Sequence, residues 1–169
     1  MLLSLLMVAA AGAGSPCAVP PAEPARQATL AYTSFDSQAA PYGWRYLSGV
    51  GCTDAAVSML TGYAAANNDG LRPGDAMELS FHIGQVLALA GRDAESLAHF
   101  EHALRPAATK EWATYVQATV AFLKRDAVAV RAARDEYALV APGSMRLRFI
   151  DGFLACPAEP YAKAVHCRP

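Results

Sequence analysis

The feature that most constrains this chain is a helix, a short turn and a second helix between Met77 and Pro106. Apolar residues recur at helical spacing in both halves, and Gly91-Arg92-Asp93 separates them. A hairpin of this kind cannot bury its apolar face alone, so it must stack on further helical pairs. The segment therefore constrains its neighbours, although it does not specify a reaction.

Further helices are predicted on both sides of this hairpin, and no long segment has the period of two that half-buried strands show. Thr53, Thr109 and Ser144 stand where helix N-caps are expected, and Pro106 is expected to end a helix. Because the connecting turns are short, successive helices should be antiparallel neighbours. We therefore predict an all-α domain over residues 41–169, built from stacked antiparallel helical hairpins.

The chain begins with an apolar run that ends in Ala11-Gly12-Ala13. This pattern predicts a secretory signal peptide over residues 1–13, cleaved near Ala13. The run is too short for a stable membrane span. The alternative interpretation is a shortened start, because no basic residue precedes the run.

The next segment, residues 14–40, begins with a stretch rich in Pro and Ala and predicts an extended N-terminal arm. Its later part is ambiguous, since Leu30, Tyr32 and Phe35 could dock on the domain. Lipid attachment at Cys17 is a second possibility, which the preceding Pro16 disfavours.

The chain contains four cysteines. An even number of cysteines in an exported protein favours disulfides over a metal site or a nucleophile. Four cysteines allow three connectivities. We choose the local pairing, Cys17 with Cys52 and Cys156 with Cys167, and place a short final helix, roughly Glu159–His166, inside the second loop. A periplasmic or secreted location follows from the same reasoning.

The charge pattern excludes two classes of partner. The formal net charge is −1, with 14 basic and 15 acidic residues spread along the chain. No basic stripe is present to neutralise nucleic-acid phosphates, and no basic amphipathic segment is present to bind a membrane surface.

The hairpin also carries a family likeness. Residues of both helices match the small, aromatic and turn positions of the tetratricopeptide repeat: Phe81, Ile83, Gly84, Leu87, Gly91, Glu95, Leu97, Phe100, Ala103 and Leu104. The chain thus resembles tetratricopeptide-repeat proteins over the length of this hairpin. The resemblance implies a short right-handed solenoid with a concave binding surface, and two disulfides complete the predicted fold.

A repeat period of about 34 residues aligns Gly84 with Ala118 and Gly91 with Arg125. The second copy departs from the pattern, because Arg134 replaces an aromatic residue and Tyr137 a small one. The whole chain is also similar to a group of uncharacterised exported bacterial proteins, through Gly51-Cys52, the segment 112–123 and Pro160-Tyr161. That similarity supports export and disulfides and implies no activity.

Catalytic and metal chemistry find little support in the sequence. Glu95, His99 and His102 project from one helix face at a spacing that zinc or nickel could use, but a solvated face is the preferred interpretation. His166 and Cys167 are adjacent along the chain, which does not orient a base toward a thiol. We predict no cofactor, no metal and no enzymatic activity.

The preferred hypothesis is an exported helical-repeat module that captures a peptide or protein partner in a concave groove. The first helix of each hairpin should line that groove, with these residues: Glu78, Phe81, His82, Gln85, Trp112, Tyr115 and Thr119. Trp112 and Tyr115 are more often core residues than ligand contacts, so a core position is the alternative for both. The alternative function is a small disulfide-stapled inhibitor or immunity-type protein that blocks a secreted enzyme.

Overall fold

The computed structural model describes residues 15–37, 40–104 and 109–169, and in this part of the chain all regular structure is helical. In chain order the helices are α1 Glu23–Ala28, α2 Tyr32–Ser37, α3 Trp44–Gly49, α4 Thr53–Asn67, α5 Pro73–Leu89, α6 Asp93–His102, α7 Lys110–Leu123, α8 Ala127–Val140, α9 Met145–Ala155 and α10 Tyr161–Ala164. The predicted signal peptide, residues 1–13, and the helix stop at Pro106 lie outside the described residues. Within the described ranges, no helix has the length and apolar character that a membrane crossing needs.

Two of the three predicted N-caps are confirmed. The Thr109 hydroxyl accepts a hydrogen bond from the Trp112 backbone N–H at 3.2 Å, and Ser144 caps α9 in the same way. Thr53 is instead the first residue of α4, and the cap position falls on the preceding Cys52 without a side-chain bond. The cap predicted at Thr53 was therefore wrong.

The turns after α5 and α7 have the same backbone geometry. Gly91 and Arg125 both adopt positive φ, 75° and 60°. The turn hydrogen bonds also correspond: Gly91 N–H to Ala88 O and Arg92 N–H to Leu87 O in one turn, Arg125 N–H to Phe122 O and Asp126 N–H to Ala121 O in the other. The same type of turn therefore joins both helical hairpins, at the repeat spacing that aligns Gly91 with Arg125.

The interior consists of two apolar clusters that share α5. Leu79, Ile83, Val86 and Leu87 of this helix pack with α2, α3 and α4. Phe81 and Ala88, on the other side, join the larger cluster formed with α6 to α10. Because α5 has neighbours on both sides, nearly its whole length between Met77 and Ala88 is buried.

The extended arm predicted for residues 14–40 is wrong for its second half, which folds into α1 and α2. Pro24 lies in the first turn of α1, where its missing N–H costs nothing. Phe35 is fully buried and stacks on Tyr63 with ring centroids 3.8 Å apart. Tyr32 and Phe35 thus hold the segment against α4.

Both predicted disulfides are confirmed. Cys17 bonds to Cys52 and Cys156 to Cys167, with sequence separations of 35 and 11 residues. The Cys17–Cys52 disulfide holds the start of the arm against the N-cap of α4. The Cys156–Cys167 disulfide closes the loop that contains α10.

Candidate functional site

The seven residues predicted to line a concave groove do not form one exposed face. The structure buries four of them and leaves Glu78, Gln85 and Trp112 partly exposed. The buried residues, with their exposed fractions, are Phe81 4%, His82 8%, Tyr115 3% and Thr119 0%. The expected surface is therefore mostly interior in this chain, which corrects the prediction.

Two segments cover this face: α2 and α3 cover His82 through Asp36 and Trp44, and the C-terminal loop covers Tyr115. Helix α10 packs on α5 and α9, and Tyr161 is 1% exposed. Its hydroxyl faces Gln85 and Tyr115, and burial raises the pKa of Tyr161 to about 12. The chain thus places its own tyrosine against part of the surface where a ligand was expected.

Trp112 lies at the boundary between core and surface. Its ring packs on Phe81 with centroids 5.1 Å apart, and its Nε1–H donates to the Ala103 carbonyl at 3.1 Å. The Arg146 guanidinium lies 5.4 Å from the centre of the same ring. Trp112 is therefore held in one orientation while part of it faces solvent.

An open cleft of about 510 Å³ begins at this tryptophan, and we call it the Trp112 cleft. It is formed by the first turns of α5, α7 and α9 and lined by Arg72, Pro73, Gly74, Asp75, Met77, Glu78, Thr109, Trp112 and Arg146. It contains two basic and two acidic side chains beside one aromatic ring. Glu78 and Trp112 are the predicted binding residues that it brings together.

Ion pairs fix the charged rim of the Trp112 cleft. Arg72 binds Asp75 through two hydrogen bonds of 2.8 Å. Arg146 lies 3.3 Å from Glu111, which also accepts a 2.8 Å hydrogen bond from the Tyr137 hydroxyl. The Arg72 side chain is 74% exposed, so its pair with Asp75 can open to a partner at little cost.

A second groove, of about 560 Å³, runs between α4 and α6 above α5. Its walls include Leu79, Ile83, His99 and His102. Burial, and then the charge of His102, lower the pKa of His99 below its ordinary value. Glu95 does not join these histidines, because Arg92 binds its carboxylate at 2.8 and 2.6 Å.

A polar cluster that the sequence did not indicate lies on the other side of Glu78. Asp36 of α2 meets Glu78 and His82 of α5, and one ligand-type atom of each lies within 4.8 Å of the others. Burial alone would raise the pKa of Asp36, but His82 and Arg45 together hold it below its ordinary value. No sequence signal could have found this cluster, because Asp36 is distant along the chain from the other two and α2 was not predicted.

No protein-family model matches this chain, and comparison with curated proteins and with solved structures finds no similar one. Its function must therefore be inferred from the residues and contacts described above.

Proposed function

We propose that this chain is an exported helical-repeat module that binds a peptide segment of a protein partner, and that the Trp112 cleft is its binding surface. One observation carries the proposal: Trp112 is held by a hydrogen bond to the core, and its partly exposed ring lines a cleft that also contains charged groups of both signs. Aromatic and arginine side chains are enriched in the central contacts of protein interfaces. Rigid placement also reduces the entropy that such contacts cost.

Two further observations support parts of this proposal. The matching turns at Gly91 and Arg125 favour a tetratricopeptide-like stacking of hairpins. The two disulfides favour an oxidising compartment, hence export to the periplasm or the medium. A non-reducing peptide map of protein recovered from a periplasmic fraction tests the second point, because reduced cysteines in that fraction would contradict it.

The inhibitor-type alternative would need a protruding loop. The loop closed by Cys156 and Cys167 instead points Tyr161, Ala164 and Val165 inward. This orientation favours binding through a cleft over inhibition by that loop.

The first prediction concerns Arg72, which is exposed and has only Asp75 as a described partner. A random peptide library displayed on phage is selected on the folded protein, and the affinity of the best peptide is measured by fluorescence anisotropy. Arg72→Glu should weaken binding at least tenfold, because it repels Asp75 and reverses the charge at the mouth of the cleft. The melting temperature should change little.

Arg131→Glu is the matched control, since Arg131 is an exposed arginine on α8, outside the cleft. It makes the same change in charge and should leave the affinity unchanged. If the library yields no binder, or if both variants bind the peptide as the parent does, the Trp112 cleft is not the binding surface.

A further inference from the structure

We propose that Asp36, Glu78 and His82 form a binding site for a divalent transition-metal ion of the zinc class. Two carboxylates and one imidazole make a donor set that zinc accepts. One donor atom from each residue lies within 4.8 Å of the other two. The inference does not rest on the peptide-binding function proposed above, although Glu78 belongs to both sites.

The strongest observation is a close pair of buried atoms of the types that bind metal ions. His82 Nδ1 and Asp36 Oδ1 are 3.0 Å apart. Both are sealed from solvent, and neither has a partner in hydrogen-bond geometry among the described residues. A divalent cation between them would take both atoms as ligands in place of the proton that they share.

The spacing is close to that of a shared ion. Two ligand atoms about 2.1 Å from a tetrahedral zinc ion are separated by about 3.4 Å, so His82 Nδ1 and Asp36 Oδ1 would move apart by a few tenths of an ångström to bind it. Glu78 stands one helical turn before His82 on α5, so both residues project from one side of the helix. Three protein ligands would leave at least one coordination position for water or for a partner's side chain.

Neighbouring side chains would hold the ligands in place. Arg45 Nη2 donates to Asp36 Oδ2 at 2.7 Å, which leaves Oδ1 directed toward His82. The Tyr32 hydroxyl donates to Glu78 Oε2 at 3.3 Å. The Trp44 ring lies 4.8 Å from the imidazole and limits its rotation. Such outer contacts orient ligands in known metal sites.

The competing interpretation is an ion pair between Asp36 and a protonated His82, without a metal. The two interpretations differ in a direct measurement. Protein stripped with a chelator is titrated with Zn²⁺ in a calorimeter, and bound zinc is counted after dialysis. We expect one Zn²⁺ per chain and a melting temperature that rises with zinc, because the ion binds only the folded chain.

His82→Gln should weaken zinc binding at least tenfold, whereas His102→Gln, which removes an exposed histidine of the second groove, should not. Because His82 is buried, Glu78→Gln provides a second variant at a partly exposed position and should also weaken binding at least tenfold. Co²⁺ in place of Zn²⁺ should give visible absorption bands that both site variants lose. A parent protein that binds no zinc, or folded site variants that bind it as the parent does, would overturn the proposal.

Discussion

Two helical glycines mark the closest approaches between segments in this molecule. A Cβ on Gly84 would lie 3.1 Å from the Ser96 carbonyl oxygen and 3.2 Å from the Phe100 ring. On Gly152 it would overlap the carbonyl oxygen of Ala164. At Gly84 a shift of α6 by a few tenths of an ångström relieves the contact, whereas at Gly152 the overlap is larger and the Ala164 carbonyl belongs to the loop that the disulfide closes.

This difference predicts an order of stabilities for glycine-to-alanine substitutions. Gly152→Ala should destabilise the fold by about 1–3 kcal/mol through overpacking. Gly84→Ala should be close to neutral, because the gain in helix propensity of about 1 kcal/mol offsets the tight contact. Both effects are measured by chemical denaturation.

Gly62→Ala is the matched control, since Gly62 is an exposed helical glycine with nothing within 4 Å of the added Cβ. It should stabilise the protein by about 0.5–1 kcal/mol. If Gly152→Ala stabilises the protein as much as Gly62→Ala does, the docking of the C-terminal loop on α9 is wrong.

At the scale of the element, the repeated turn is closed by different residues in the two hairpins. Gly91 adopts positive φ without strain, whereas Arg125 adopts it at a cost of about 1–2 kcal/mol. Arg125 offsets that cost by donating to the Pro157 and Glu159 carbonyls at 3.0 and 2.9 Å. These hydrogen bonds hold the second turn against the C-terminal loop, and no hydrogen bond given for the described residues does the same for the first.

Substitutions at these two positions separate backbone strain from side-chain contacts. Gly91→Ala should lower the free energy of unfolding by about 1 kcal/mol, because nothing but its φ angle opposes a side chain there. Arg125→Ala and Arg125→Gly both remove the carbonyl contacts. The glycine variant should be the more stable of the two by about 1 kcal/mol, and equal stabilities in urea would show that Arg125 is unstrained.

At the scale of the whole molecule, the two disulfides should protect different parts of the fold. By loop entropy alone, the separations of 35 and 11 residues correspond to about 4 and about 3 kcal/mol. Removing the second pair should also free α10, since that pair closes the loop that carries Tyr161. In the Cys156→Ala/Cys167→Ala variant, the amides around Tyr161 should therefore exchange through a local opening. The free energy of this opening should be well below the free energy of global unfolding.

Cys17→Ala/Cys52→Ala is the control for that experiment. It should destabilise the chain at least as much overall, yet leave the amides near Tyr161 protected to the level of global unfolding. Equal exchange near Tyr161 in both double variants would mean that side-chain packing, and not the disulfide, holds α10.

Local features of this molecule were predictable from sequence, and long-range ones were not. Helical periodicity, the caps at Thr109 and Ser144 and the local disulfides depend on residues close along the chain or on simple pairing rules. The burial of Tyr115 depends in part on Tyr161, which is far away in sequence and lies in a segment without strong periodicity. The meeting of Asp36 with His82 likewise depends on how α2 docks, which no nearby residue specifies.

The position of Tyr161 over α5 and α7 also affects how the chain is made. A ribosome releases Phe81 and Tyr115 well before Tyr161, and synthesis proceeds at about 5–20 residues per second. For several seconds, therefore, the nascent chain lacks the tyrosine that packs against Gln85 and Tyr115. Exposed apolar surface binds chaperones or other nascent chains, so the C-terminal loop is the last part of the chain that protects this surface from aggregation.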